Sequence, residues 1–299
     1  MNNKSLKTER IEFHISYACD CKCVFCSEKN RLDRFPGKNP SLREIAEVLK
    51  EKKYSGFNHI TFTGGEPTSS SSLPYALKIA KKLGFRTCVT TNGGAFSKIS
   101  FCYEVLPLCD ELILSIHGSS PDVHDRQTLK NGSFIRLLSA LKNIETVASG
   151  SIYGLTNTLV LKDNINDLPD LFKFLGQLSF IKQHLISYPA PEGLALKNYK
   201  HIAPPLSMIS ELTDKIVSIT DSNGKTLRVF GVPACMLGKN YILSNDFYWS
   251  PRVRIERSLR GGKLCLRETW TERPVRRRIY KDKCRTCRHK SFCGGFFDI

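Results

Sequence analysis

The sequence predicts an α/β chain built on a mostly parallel sheet, followed by a smaller cysteine-containing region. Two observations carry this. Strand-like runs alternate with helix-like ones through six units in about 190 residues, the signature of βαβ repeats. The alternation then stops at the turn-rich run Tyr188-Pro189-Ala190-Pro191-Glu192-Gly193 and again at Pro204-Pro205. The domain boundary is therefore expected near residue 205, giving regions 1–205 and 206–299.

The elements are read in order. Glu12 to Ala18 is a first strand that runs into a loop holding Cys19, Cys21, Cys23 and Cys26. Ser41 to Lys53 starts on a serine, has Glu44 three residues later and repeats Ile45, Val48 and Leu49 on one face, a capped amphipathic helix. His59 to Thr63 is the second strand, and Leu73 to Leu83 a helix closed by Gly84. Arg86 to Thr91 is the third strand, with a short helix around Phe101 to Leu106. Glu111 to Ile116, Ile152 to Leu161 and Ile181 to Tyr188 are the next strands, separated by helices at Phe134 to Val147 and Leu168 to Leu178. Six such units fit an open doubly wound sheet or a partial barrel, and periodicity does not choose between them. Beyond the break come a helix (Leu206 to Thr220), a strand (Leu227 to Val232) and a basic tail.

Composition narrows the setting. A chain of 299 residues can bury a sizeable core without disulfides. No apolar run approaches the roughly 18–20 residues that span a bilayer. The start, Met1 to Lys7, has no apolar segment behind it, so no signal peptide is expected and the setting is read as cytoplasmic, without a membrane partner. Thiols stay reduced there, so twelve cysteines point to metal or redox chemistry. The net charge is +17, and Pro251 to Lys290 alone holds fifteen Lys or Arg against four Asp or Glu, a net +11. Either this is a solvated basic face offsetting thiolate-bound clusters, or it meets an anionic partner such as nucleic acid, a phosphate or an acidic peptide.

Cys19, Cys23 and Cys26 have the spacing Cys, three residues, Cys, two residues, Cys. Three such thiolates hold three irons of a cubane cluster and leave the fourth open. Zinc is the alternative, with Cys21 as a fourth thiolate. The loop lies just past the carboxyl end of a strand, where α/β folds place their sites. Thr63-Gly64-Gly65-Glu66-Pro67 ends the next strand. Its glycines let backbone approach a ligand, and Glu66 offers an acceptor for an ammonium group.

Together these two motifs resemble the radical S-adenosylmethionine (SAM) superfamily, including the aromatic Phe25 before the last cysteine. The resemblance covers roughly residues 10–200. It implies a partial (β/α)6 TIM-like barrel in which SAM chelates the open iron of a 4Fe-4S cluster. One electron, supplied by a flavodoxin or ferredoxin, then cleaves SAM to methionine and a 5′-deoxyadenosyl radical that takes hydrogen from a substrate. By the same resemblance Gly64, Gly65 and Glu66 help bind the methionine moiety. Ser115 holds the SAM carboxylate or ribose, Arg126 pairs with that carboxylate, and Thr91, Asn92 and Asn157 are ribose contacts. A cap, turn or barrel-interior hydrogen bond is the plain alternative for each. His117 and His124 read as structural, Cys21 is not counted as a ligand, and no residue is singled out for chemistry on the substrate.

Cys284, Cys287 and Cys293 have the spacing Cys, two, Cys, five, Cys, followed by Gly294. A zinc site is one reading. The pattern also resembles the SPASM and twitch extensions of radical SAM barrels, which hold auxiliary 4Fe-4S clusters. Because Phe296 to Ile299 adds no further cysteine, the expectation is a small C-terminal cysteine-rich, twitch-like extension with one cluster. Cys235 is the preferred fourth ligand and Cys265 its rival. The resemblance favours a peptide or protein substrate, as in maturation of ribosomally made peptides, with a small molecule, nucleotide or RNA as the alternative. About ten residues precede the first strand, so leader recognition would fall to a separate partner. A non-catalytic, metal-stabilised nucleic-acid-binding protein is the rival class. Against it, Trp249, Trp270 and Tyr280 are sparse for a base-stacking surface. Cys88, Cys102 and Cys109 lie on apolar elements and read as buried small hydrophobes.

Overall fold

Alternation along each strand decides the architecture. In β1 (Arg10–Ser16), Ile11, Phe13 and Ile15 are fully buried in the apolar core, while Arg10 and Glu12 face the other way into a cavity. Successive strand residues point to opposite faces, so one face of the sheet is apolar and the other polar. The computed structural model, which describes residues 10–148, 150–272 and 277–299, repeats this pattern strand by strand. The amino-terminal run and the basic residues Arg273 and Arg276 lie outside the described residues.

After β1 come α1 (Lys29–Arg34), α2 (Leu42–Tyr54), β2 (His59–Gly64), α3 (Leu73–Lys82), β3 (Arg86–Thr91), α4 (Ile99–Val105) and β4 (Glu111–Ser115). Then follow α5 (Pro121–Thr128), α6 (Ser133–Ala148), β5 (Tyr153–Leu159), α7 (Leu168–Gly176), β6 (Ile181–Ser187), α8 (Gly193–Ile202), α9 (Leu206–Ser222) and β7 (Thr226–Phe230). A hairpin of β8 (Arg252–Arg260) and β9 (Lys263–Thr271) completes the sheet, whose order is β7-β6-β5-β4-β3-β2-β1-β8-β9. All neighbouring strands are parallel except β9, which is antiparallel to β8. The helices pack their apolar faces on the outside. On the inside Glu12, Thr61, Cys88, Leu155, Gln183 and Arg228, each from a different strand, line one cavity of about 1150 Å³. Such a shared lumen requires a curled sheet, so the fold is a partial barrel and not an open doubly wound sheet.

The expected helix behind Ser41 is present with its full capping box: Ser41 accepts from the Glu44 N–H, and the Glu44 carboxylate accepts from the Ser41 N–H. Cys88, Cys102 and Cys109 are buried, as expected. Three helices (α1, α5, α8) and the β8–β9 hairpin were not anticipated. The basic tail expected there contains this hairpin, in which Arg252, Arg254 and Glu256 alternate with Val253 and Ile255. Arg252 and Arg254 line the lumen, and charged residues are what the polar side of such a strand requires. Beyond residue 205 the sheet continues at both edges, with β7 beside β6 and β8 beside β1.

Arg257 fastens the hairpin to the amino-terminal part of the barrel. Its side chain is 4% exposed. Nε donates to the Lys38 carbonyl at 2.9 Å, and Nη2 to the Asn39 carbonyl and to Glu44 Oε2, each at 2.9 Å. Its N–H donates to the Tyr17 hydroxyl. The hydrogen bond from Arg257 outweighs burial and draws the Glu44 carboxyl down to about 2. A hydrogen bond to a charged group is worth about 1.5–3 kcal/mol, and the Glu44 side chain, 34% exposed, keeps some contact with water. Arg257→Leu should therefore lower the unfolding free energy in urea by about 2 kcal/mol. The pair is at full strength above pH 4.5 and is lost as pH falls towards 2, so the variant should also lose part of its acid sensitivity in that window. A loss near zero, with unchanged acid sensitivity, would show that the hairpin is anchored elsewhere.

Candidate active site

The cysteine loop lies over the carboxyl ends of the strands and is tied down from three sides. Lys22 N–H donates to the Thr128 carbonyl at 2.9 Å and Val24 N–H to the Gln127 carbonyl at 3.0 Å, so the loop rests on the end of α5. From α8, Leu194 N–H donates to the Cys26 carbonyl at 2.9 Å, and Asn198 Nδ2 to the Val24 carbonyl at 2.7 Å. Gly193 meets the Cys26 carbonyl so closely that a Cβ would stand 2.4 Å from it. From the third side Asp20 accepts from Asn92 Nδ2 at 2.9 Å and from Arg136 Nη2 at 2.8 Å. Phe25 packs edge-on against His117, with ring centres 4.7 Å apart.

Gly64, Gly65 and Glu66 join that loop to the next two strands. Gly65 N–H donates to the Ser16 carbonyl at 2.9 Å and Glu66 N–H to the Ala18 carbonyl at 2.8 Å. A Cβ on Gly64 would lie 2.3 Å from the Ser16 oxygen, and one on Gly65 2.5 Å from the Ala18 oxygen. The glycines are thus required by the contact between two backbones. The Glu66 carboxylate is buried and accepts from Thr68 N–H (3.1 Å), Thr68 Oγ1 (2.7 Å), Thr91 Oγ1 (2.6 Å) and Asn92 N–H (2.7 Å). Burial pushes its carboxyl up, and these donors offset part of that rise.

Cys19, Cys23 and Cys26 line one pocket of about 290 Å³ together with Gly64, Gly65, Glu66, Asn92, Ser115 and Asn157. Ser115 and Asn157 lie side by side in the β4–β5 register, and Asn157 Oδ1 accepts from Ser187 Oγ at 2.8 Å. Asn92 is already braced, since its Oδ1 accepts from Gly94 N–H at 2.8 Å. Arg126 is not brought to the pocket. It is exposed on α5, whose buried face carries His124, Gln127 and Thr128. Helical periodicity turns residue 126 away from the side that meets the cysteine loop. His117 lines the pocket; burial, then His124, push its imidazole well below 6.5, so it is a neutral ring that accepts from Leu159 N–H. Sequence reading missed Ser187, Thr128 and Phe230 in the lining, and Asp20 and Arg136 in the bracing. Ser187 had a signal, a polar residue ending a strand as Ser115 does. The Asp20–Arg136 pair, 116 residues apart, had none.

The donor set fits the implied groups. Among the described residues no three His, Cys, Asp or Glu side chains converge closely enough for a single metal ion. A cubane asks for something different, because each thiolate takes its own iron. A hydrogen bond with Cys21, then burial, push the Cys19 thiol up, and burial raises Cys26. Bound iron is the positive charge that makes thiolates favourable there. Among the described residues the lining holds two carboxylates, Glu28 and Glu66, and no lysine or arginine, which suits a sulfonium ligand.

In the tail, Cys235, Cys284, Cys287 and Cys293 line one small cleft with Tyr280 and Phe296. Cys265 is elsewhere: it sits opposite Ser258 in the hairpin, its Sγ 3.5 Å from the Ser258 carbonyl. The buried Arg278–Asp246 pair (2.7 Å) holds the cleft, because Asp246 also accepts from Gly294 N–H at 2.7 Å.

Residues 13–175 match the model of the radical SAM superfamily. The chain belongs to that superfamily, whose enzymes use a 4Fe-4S cluster and SAM. It is 29% identical over 172 residues to an S-adenosylmethionine-dependent nucleotide dehydratase of Flammeovirga pacifica, covering 56% of this chain and 58% of that protein. It is 26% identical over 211 residues to a probable GTP 3′,8-cyclase of Saccharolobus islandicus, covering 70% and 65%. The chain thus spans less than two thirds of these relatives' lengths. Among solved structures it is similar to Streptococcus suis SuiB bound to precursor peptide SuiA, with a TM-score of 0.62, 15% identity and coverage of 83% and 57%. It is also similar to anSMEcpe with bound AdoMet, with a TM-score of 0.56, 16% identity and coverage of 74% and 63%. At these identities the structures show the fold. No helix among the described residues is long and apolar enough to cross a membrane.

The Glu66 arrangement makes a prediction. Glu66→Gln keeps the shape but sets an amide against donors, and each buried donor left unpaired costs about 1–3 kcal/mol. The variant should unfold at least about 2 kcal/mol more easily and lose SAM binding, read by urea titration and by equilibrium dialysis. Unchanged stability would mean that the carboxylate does not join the strand ends.

Proposed function

We propose that this chain is a radical SAM enzyme that takes a hydrogen atom from a substrate seated in the barrel lumen. The observation that supports this reading is continuity. Thr90, Asn157, Ser187 and Phe230 line both the cysteine pocket and the lumen beneath it, so a molecule in the lumen reaches the site without leaving the barrel. Cys19, Cys23 and Cys26 would hold the cluster, with Gly64, Gly65, Glu66, Asn92 and Ser115 shaping the place for SAM. When bound, these groups supply one-electron cleavage of SAM and a 5′-deoxyadenosyl radical. The chain's own part is to orient and to shield. Phe25, Leu32, Leu159, Tyr188, Ala195 and Phe230 give the pocket an apolar wall that keeps water away from reactive species. His117, held neutral, adds no proton donor of ordinary acidity.

In the tail we assign Cys235, Cys284, Cys287 and Cys293 to an auxiliary 4Fe-4S cluster, with Cys265 outside it. A flavodoxin or ferredoxin is the electron donor in this reading. For the substrate, the SuiB structure holds a peptide and supports the peptide reading, whereas the names of the two relatives specify a nucleotide and GTP. The lumen wall favours the second class.

The test is anaerobic reconstitution with iron and sulfide, followed by SAM and a strong reductant. The wild-type chain should form 5′-deoxyadenosine, and Cys19→Ala, Cys23→Ala and Cys26→Ala should each reduce it to background. No cleavage at full iron content would overturn the reading. Iron analysis tests the tail: about eight irons per chain should fall to about four when Cys284 and Cys287 are both replaced by alanine. Cys235→Ala should leave the auxiliary cluster labile to chelators, and Cys265→Ala should leave it intact. The reverse pattern would reassign the fourth ligand.

A further inference from the structure

We infer that the lumen binds a phosphorylated small molecule, its phosphate seated against Arg228, Arg252 and Arg254; this rests on reading the lumen as the substrate chamber. These residues come from opposite sides of the sheet, the edge strand β7 and the last parallel strand β8, and consecutive aromatics in the connecting segment stack on both. The Arg228 guanidinium stacks 3.7 Å from the Tyr248 ring centre, and that of Arg252 4.1 Å from the Trp249 ring centre. Stacking fixes both guanidiniums while leaving their in-plane N–H groups for an acceptor.

The wall has donors to spare. Arg252 donates to Glu12 at 2.6 Å, and Arg254 Nε lies 3.7 Å from the other Glu12 oxygen, beyond hydrogen-bond length. Burial works against ionisation of Glu12, but Arg252 and Arg254 prevail and hold its carboxyl below 4.5. Arg228 donates to the Leu227 carbonyl at 2.9 Å and has no carboxylate partner among the described residues. Three guanidiniums therefore face one carboxylate. Arg254 Nε and Trp249 Nε1 are both buried without an acceptor among the described residues. Of the other carboxylates that line the lumen, Glu111 is taken by His59 and Arg86, Glu272 is exposed, and Glu192 lies at the start of α8. Buried donors without acceptors are costly, and an oxyanion relieves the cost. The forked guanidinium matches phosphate oxygens two at a time.

The depth is right for a small molecule. Arg228 lies two residues below Phe230 on the same face of β7, about 6.6 Å along the strand. Phe230 borders the cysteine pocket. A phosphate at Arg228 would leave the rest of a compact molecule at the mouth, where hydrogen abstraction takes place.

Calorimetric titration of the reconstituted enzyme with inorganic tripolyphosphate at physiological salt tests this. Saturable 1:1 binding is expected, weakened about tenfold or more by Arg228→Gln and by Arg254→Gln, with Arg228→Lys between. The pair Arg260→Gln with Lys263→Gln, on the exposed hairpin turn, should bind as the wild type does. If the lumen variants misfold, tripolyphosphate should still protect Arg228 of the unmutated enzyme from phenylglyoxal, read by peptide mass. The inference is overturned by no saturable binding, by equal loss in the hairpin pair, by absence of protection, or by capture of a pentaglutamate peptide in place of tripolyphosphate. Formation of 5′-deoxyadenosine without anion binding refutes this inference alone; anion binding without SAM cleavage refutes the radical reading alone.

Discussion

The buried carboxylate of Glu66 is the constraint on which the mouth of this barrel depends. A carboxylate taken out of water must be met by donors, and here Thr68, Thr91 and the Asn92 backbone supply them. Meeting them draws the end of β2 against the end of β3. The same residue's N–H, with that of Gly65, draws β2 against the start of the cysteine loop. Three strand ends are thereby held in register below three cysteines. The missing side chains of Gly64 and Gly65 follow from this contact, since a Cβ would strike the carbonyl oxygen of Ser16, at the end of β1, or of Ala18, at the start of the loop.

The second organising fact is the division of the sheet into an apolar outer face and a polar inner one. Helices satisfy the first. The second is a lumen whose charges need partners, and two of its carboxylates have them: Glu12 with Arg252, and Glu111 with Arg86 and His59. Among the described residues, Arg228 has no carboxylate partner and Arg254 Nε no acceptor, and both line the lumen. The basic excess that composition announces is thus divided. Lys281, Lys283, Arg285 and Lys290 stand exposed around the tail cysteines, while Arg228, Arg252 and Arg254 face inwards.

How much could be read beforehand follows from which interactions are local. Strand and helix order was legible because periodicity is local, and Arg86–Thr91 falls on the residues expected. The cysteine spacing and the Gly-Gly-Glu-Pro turn were legible because each motif is contiguous. What Glu66 and Asn92 do was not. Both were read as ligand contacts, and both have protein partners contributed by distant elements. Arg126 was misplaced because a helix there was not foreseen, and without the helix its outward facing cannot be known. The β8–β9 hairpin is not legible in the sequence, because in a polar lumen charged residues alternate with apolar ones just as they do at a surface.

The central claim is that three thiolates on a braced loop leave one iron open to SAM. Electron paramagnetic resonance of the reduced enzyme tests it most directly, in a variant whose Cys235, Cys284, Cys287 and Cys293 are alanine so that one cluster contributes. The account predicts a single 4Fe-4S signal whose g-values shift when SAM is added and return when it is removed. A cluster signal indifferent to SAM, from a protein that retains its iron, would contradict it.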